Sequence, residues 1–234
     1  MTPARRTSAA ACLLLLAACA PEAASEEGGK VAGLYQIFFY VAVVIFVSVA
    51  GLIGWSIIAF RDRGDSDEPT QFHTKLGLEI LWFAIPTVIV IVLFILSTGV
   101  LGEVNEETPE GAGVVVEVQG FQWGWRFTWP DGTSLDSLPD DPATIYLPTR
   151  TPITFELKSQ DVIHSFYVPR FLIKRDVVPG RNNRIDLTIE DEGTYGGKCA
   201  EFCGLLHDQM DFTIQAVPQD EFEDWLSGLG SEDE

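Results

Sequence analysis

Apolar residues follow three different patterns along the chain. A short apolar stretch over residues 9–18 follows Arg5 and Arg6 and ends in small residues. It falls short of the ~20 apolar residues that a bilayer requires, and it has the basic start and apolar middle of a secretory signal, assigned to residues 1–18. Two long uncharged runs come next, 27 residues over 34–60 and 22 residues over 80–101. As helices rising about 1.5 Å per residue they reach about 40 and 33 Å, enough to cross a membrane with some tilt. Core helices of globular proteins rarely stay apolar for so long. The pattern therefore predicts transmembrane helices over 34–60 and 76–101. Pro86, inside the second, is tolerated where neighbouring groups satisfy the carbonyl it frees.

From residue 112 the period changes to two. Ile153, Phe155 and Leu157 alternate with Thr154, Glu156 and Lys158, and Ile185, Leu187 and Ile189 alternate with Asp186, Thr188 and Glu190. Phe212, Ile214 and Ala216 repeat the pattern, and turn signals such as Pro130-Asp131-Gly132, Pro179-Gly180 and Gly196-Gly197 fall between the runs. Short half-buried strands at this spacing predict an all-β sandwich or barrel, here a head over 102–217. After Pro218, the residues Phe222, Trp225, Leu226 and Leu229 form one stripe of a short C-terminal helix, and 218–234 ends in an acidic tail.

Charge sharpens this division. Of a net −19 over 234 residues, the segment 103–234 holds 26 Asp/Glu against 9 Lys/Arg, about −17. A nucleic-acid partner is excluded, because binding one requires a basic face. Six Trp, five Tyr and fifteen Phe supply a core that a disordered acidic chain lacks. Arg61, Arg63 and Lys75 lie in the link 61–75, whereas the opposite flanks hold only Lys30 and none over 102–121. The bias places the link in the cytoplasm and both chain ends outside, in agreement with an exported N-terminus. The signal ends Leu16-Ala17-Ala18-Cys19, which resembles a bacterial lipobox and implies lipidation of Cys19; an ordinary cleavage site is the plainer reading. Residues 19–33, small and Gly-rich, read as a tether.

Candidate chemistry is concentrated in Cys199-Ala-Glu201-Phe-Cys203-Gly-Leu-Leu-His207-Asp-Gln-Met210, between predicted strands over 193–198 and 211–217. Two thiolates, an imidazole and a thioether form a soft donor set that suits copper better than the oxygen-seeking magnesium or calcium. His164, 35 residues before Cys199, is the further candidate ligand, while His73 belongs to the other side of the membrane. In an oxidising compartment the two Cys read equally as a disulfide. A structural zinc is a third reading, which Met210 disfavours.

This ligand order, with the hairpin and the β head, resembles subunit 2 of cytochrome c oxidase over most of the mature chain. The resemblance implies a cupredoxin-like head with a dinuclear copper centre. In it Cys199 and Cys203 bridge two copper ions, His164 and His207 bind one each, Met210 is a weak ligand, and Glu201 ligates through its carbonyl. It further implies that the Glu201 carboxylate reaches a magnesium ion at the interface with the catalytic subunit 1. Trp123, first of the pair Trp123-Gly124-Trp125, takes the family's electron-entry position. The family often has Tyr where Gly124 stands. Core packing is the plain reading for at least one of Trp123, Trp125 and Phe127, expected on one strand face. Asp161 matches a donor-docking acid, although Gln160 stands where acid is common in the family. Lys174-Arg175-Asp176 through Pro179-Gly180-Arg181 resembles the stretch that meets subunit 1.

Glu79, three residues before Trp82 at the start of the second span, has two readings on physical grounds: an intramembrane carboxylate with a function, or a solvated one at a helix end. The resemblance implies the entrance of a proton pathway. Taken together, these features imply the electron-entry subunit of a bacterial haem-copper oxidase, a multi-pass plasma-membrane protein. The resemblance implies cytochrome c or a c-type haem domain as donor, with oxygen reduced on subunit 1. The rival is a membrane-anchored copper chaperone or thiol redox protein of thioredoxin type, for which strand–helix alternation is expected.

Overall fold

The computed structural model describes residues 22–61 and 73–230. Within the described residues the chain divides into two compact units, one formed by 33–101 and the other by the preceding residues together with 102 onward. The signal and Cys19 lie outside the described residues, as does most of the link.

The first unit is helical. Helix α1 spans Glu26–Ala59 and α2 spans Leu76–Val104, both long and apolar enough to cross a membrane. Side chains such as Phe46, Trp55, Phe83 and Phe94 stand exposed on the isolated chain, as expected of helices whose neighbours are lipid or other subunits. Ser48, Thr87 and Ser97 return their hydroxyls to carbonyls one turn back, at 2.7 Å each, so each polar side chain is satisfied within its own helix.

The second unit is a sandwich of two five-stranded sheets. Its strands are β1 Val114–Phe121, β2 Gly124–Thr128, β3 Ser134–Ser137, β4 Thr144–Pro148, β5 Pro152–Ser159, β6 His164–Val168, β7 Ile173–Val177, β8 Asn183–Thr188, β9 Gly193–Cys199 and β10 Asp211–Val217. One sheet has the order β3-β2-β1-β5-β8 and the other β4-β10-β9-β6-β7. The alternation read from the sequence points inward as expected: Ile153, Phe155, Leu157, Ile185, Leu187, Phe212 and Ile214 all belong to one buried core. Phe166 stacks on Phe212 with centroids 5.0 Å apart, and Trp125 packs edge-on against both. Such aromatic pairs add ~0.5–1.5 kcal/mol each beyond their buried area. Helix α3, Gln219–Leu229, packs against the edge strand β4, with Trp225 on Tyr146 and on Trp129 just after β2.

Two features differ from the expected pattern. The stretch expected to be a tether is anchored to the head over its described part. Ala24 and Ser25 are buried, Ala24 donates to the Arg170 carbonyl and its own carbonyl accepts from Glu190, and α1 begins at Glu26. Gly28 sits where a Cβ would lie 2.4 Å from the Phe171 carbonyl oxygen; the close approach, rather than chain flexibility, accounts for that glycine. Thr154 and Asp186 do face outward, yet they are only 5% and 8% exposed, because the segment after α2 covers them. Thr108 donates its N–H to Asp186, which also takes Thr154 and both arms of Arg184.

Candidate metal centre

The register of the second sheet assembles the site. Strands β6 and β9 run antiparallel with Phe166 opposite Cys199, so His164 at the start of β6 lies beside the loop that leaves the end of β9. That loop is pinned at both ends: Ala200 donates to the Ser165 carbonyl, and Cys199 donates across the loop to the Met210 carbonyl at 3.1 Å. A short 3-10 turn, His207–Gln209, carries the second imidazole. Gly204 has φ +124°, and a Cβ there would also meet Trp123 and Gln122 at 3.1 Å; backbone and space both require glycine.

The donor atoms converge. Cys199 Sγ lies 3.9 Å from Cys203 Sγ and 4.0 Å from His164 Nδ1. Cys203 Sγ lies 3.7 Å from His207 Nδ1 and 3.3 Å from Met210 Sδ. The Glu201 carbonyl oxygen is 3.2 Å from Cys199 Sγ. His164, Cys199 and Cys203 form a cluster able to hold a metal ion. Both cysteines are free thiols and buried, and their separation is about twice the 2.05 Å of a disulfide. A metal about 2.3 Å from each sulfur, the usual metal–thiolate distance, fits between them. Soft sulfur and imidazole donors converging in one place fit copper.

The electrostatics are polarised. Burial opposes ionisation of Cys199, but its contact with His164 and the hydrogen bonds from backbone N–H groups outweigh it and bring the thiol down to about 6. Burial, followed by repulsion from Cys199, pushes Cys203 up to about 12. For His164 burial disfavours the cation, and its contacts with Cys199 and Asp161 more than compensate, so its pKa rises. Asp161 is depressed: burial works against the carboxylate, but donors from His164, Val162 and Gln122 outweigh it.

All six expected ligands therefore meet in one place. Trp123 does not share a strand face with Trp125 and Phe127. It sits in the two-residue turn between β1 and β2, where Phe121 pairs with Gly124, while Trp125 and Phe127 are in the core. The turn brings Trp123 to the site, its Nε1 donating to the Cys203 carbonyl at 3.3 Å. Gln122, not singled out from the sequence, donates from Nε2 to the same oxygen at 2.6 Å. The Glu201 carboxylate pairs with Lys174 at 3.2 Å. Asp161 lies against His164 at 2.9 Å. Glu79, in the helical unit, accepts the backbone N–H of Lys75 at 3.2 Å and so closes the first turn of α2.

The comparisons with known proteins agree with this geometry. The family described as cytochrome c oxidase subunit II, periplasmic domain, matches residues 135–217, and the corresponding transmembrane-domain family matches residues 15–100. A probable cytochrome c oxidase subunit 2 of Rickettsia prowazekii is 32% identical over 80% of this chain and 64% of its own length. The subunit 2 of Alkalihalophilus pseudofirmus is 35% identical over 74% and 50%. A probable subunit 2 of Streptomyces coelicolor is 33% identical over 86% and 75%. The chain thus spans about two thirds and one half of the first two relatives. The periplasmic domain of cytochrome oxidase subunit II from Bradyrhizobium japonicum superposes with a TM-score of 0.50 at 28% identity, covering 53% of this chain and 99% of that one. With two helices able to cross a membrane, a matching β head and relatives aligned across both, the chain belongs to the cytochrome c oxidase subunit 2 family.

Proposed function

We propose that this chain is the electron-entry subunit of a bacterial haem-copper cytochrome c oxidase. It receives electrons one at a time from cytochrome c, or a c-type haem domain, and passes them to haem in subunit 1, where oxygen becomes water. The observation that carries this reading is the meeting of two unbonded thiols, 3.9 Å apart, with two imidazoles and a thioether. Cys199 and Cys203 would bridge two coppers, with His164 and His207 as terminal ligands, Met210 as the weak ligand and Glu201 acting through its carbonyl. A copper pair held there would supply one-electron exchange, the electron being shared between the two metals. The chain's own residues hold that geometry in place: the loop is pinned from both ends, and burial excludes water from the sulfurs.

Trp123 is the proposed entry point, since its indole reaches the Cys203 carbonyl from the partly exposed turn. The Glu201 carboxylate, paired here with Lys174, is the proposed magnesium ligand once subunit 1 is present. Glu79 is the proposed proton-pathway entrance at the cytoplasmic end of α2. The head and both termini lie outside the plasma membrane, with Cys19 as the lipid attachment point, and the acidic surface attracts a basic donor. A thioredoxin-type chaperone is not favoured, because the ten strands of the head follow one another with no intervening α-helix among the described residues.

Copper stoichiometry and electron paramagnetic resonance on the full chain in detergent test the reading. Two coppers per chain sharing one unpaired electron support it. A single isolated copper, or a disulfide between Cys199 and Cys203 that excludes metal, overturns it.

A further inference from the structure

Asp161 has more to do than face a partner. Its side chain is about one-third exposed (32%), yet both carboxylate oxygens are engaged inside the protein. Oδ1 accepts from His164 Nε2 at 2.9 Å and from its neighbour Val162 N at 2.6 Å. Oδ2 accepts the backbone N–H of Gln122 at 2.7 Å. A carboxylate held by three donors has little capacity left for a donor protein.

The contact with His164 fixes more than distance. An ionised carboxylate only accepts hydrogen bonds, so the proton of a neutral His164 must sit on Nε2. Nδ1 is then left with its lone pair, and it is Nδ1 that faces Cys199 Sγ. His164 is completely buried, so no water competes to turn the ring or move the proton. The second oxygen acts on another part of the site. Gln122 N is the backbone of the turn that carries Trp123, and the Gln122 and Trp123 side chains both donate to the Cys203 carbonyl. One side chain thus braces a ligand imidazole and the turn holding the indole.

We propose that Asp161 is a positioning residue for the metal centre: it holds His164 in the Nε2–H form with Nδ1 presented to the metal, and it ties the Gln122–Trp123 turn to that same ligand. The proposal deepens the reading of the site as a copper centre and rests on it. An aligned ligand binds metal without first being ordered, and partners of this kind typically contribute 10–100-fold in metal affinity or activity. A carboxylate behind an imidazole also makes it a stronger donor, which favours the more oxidised metal.

The test uses the full chain in detergent, with wild type, Asp161→Ala and Asp161→Asn compared in two arms. In the metal-free arm, nitrogen-15 shifts of the imidazoles should show wild-type His164 protonated at Nε2. That preference is lost in Asp161→Ala and retained in Asp161→Asn, whose side-chain oxygen still accepts. In the copper arm, Asp161→Ala should bind copper about 10–100-fold more weakly, with altered hyperfine splitting, and both variants should show a raised reduction potential. Copper-replete variants with wild-type spectrum and potential, slowed only in a salt-sensitive reaction with reduced cytochrome c, would make Asp161 a docking acid and overturn the proposal. An unchanged His164 tautomer in metal-free Asp161→Ala overturns it as well. If wild type itself takes up no copper pair, the functional reading fails, while the metal-free arm still decides whether Asp161 orients His164.

Discussion

Two polar clusters are buried in the head, and they are built on opposite principles. Around Asp186, every group has its complement: Arg184 supplies a two-pronged charge, Thr154 a hydroxyl and Thr108 an N–H. Around Cys199 and Cys203 the neighbours are metal-ligating groups instead: two thiol sulfurs, a thioether and two imidazole nitrogens, with neighbouring pairs 3.3–4.0 Å apart. The first cluster is complete as folded and fastens the segment after α2 to the sheet. The second is a set of soft donors that a bound metal ion would satisfy. Internal satisfaction therefore separates a structural cluster from a ligand site, even though both are buried and rich in hydrogen bonds.

The largest way to break the comparison is to remove a proposed bridging donor. Cys203→Ser should abolish the paired-copper spectrum and the electron entry that depends on it, yet change the thermal stability of the metal-free chain by only about 1 kcal/mol. Copper analysis and calorimetry on the same sample check both halves. The thiols differ in the metal-free protein as well. With Cys199 near 6 and Cys203 near 12, thiolate absorbance should report one thiolate at pH 7.5 and a second only in strong alkali. The Cys199 shift is downward, so its contribution to stability is present above the unfolded value of 9.0 and fades as pH falls through 6. The Cys203 shift is upward, so its contribution is present below 9.0 and fades as pH rises toward 12.

Asp186→Ala is the matching lesion in the completed cluster. It leaves Arg184 without its bidentate partner, and breaking such a pair costs ~3–5 kcal/mol when fully buried. Because Arg184 retains about one-third exposure (32%), about 2–3 kcal/mol is expected here, with the copper spectrum intact. Burial resists the charge on Asp186, but Arg184, Thr154 and Thr108 outweigh it and lower its pKa below 3.8. Its contribution is thus fully present above 3.8 and is lost as pH falls through the lower folded value; Asp186→Ala should flatten the acid limb of the stability curve.

The same contrast runs through the aromatic pair. Trp125 is buried with its Nε1 on the Met210 carbonyl, and Trp123 is partly exposed with its Nε1 on the Cys203 carbonyl. Trp123→Phe should keep the copper spectrum and slow electron entry by at least about tenfold, ~1.4 kcal/mol of barrier. Stopped-flow reduction by cytochrome c checks it. The sequence pattern did not separate these two residues, because alternation continues through Trp123, Trp125 and Phe127 while the chain reverses between the first two. Long-range features were hidden in the same way. The inward faces of β5 and β8 were legible because a two-residue period is local. The cover over Asp186 depends on contacts 78 residues apart, the Asp161–Gln122 bond on 39, and the anchoring of Ala24 and Ser25 on backbone pairing with residues near 170 and 190. The two thiols, two imidazoles and the thioether were legible as candidate ligands because residue type and spacing carry their chemistry; the Glu201 carbonyl came only from the family resemblance, and what braces the site was not legible, since a backbone group leaves no mark in a sequence.

Glu79 gives the smallest effect and the sharpest split, because it combines a satisfied contact with a proposed task. Its carboxylate accepts the Lys75 N–H and lies in the first turn of α2, where negative charge is favoured by ~0.3–1 kcal/mol. Glu79→Gln keeps an acceptor for Lys75 and removes the ionisable proton carrier, whereas Glu79→Ala removes both. A helix-end role predicts that Gln restores turnover of the assembled oxidase to the wild-type level and Ala does not. The proton-pathway role predicts that Gln and Ala are slowed alike, with copper spectrum and electron entry unchanged in both. Oxidase turnover and proton release measured in reconstituted vesicles discriminate between the two, and equal wild-type turnover in both variants would remove Glu79 from the pathway.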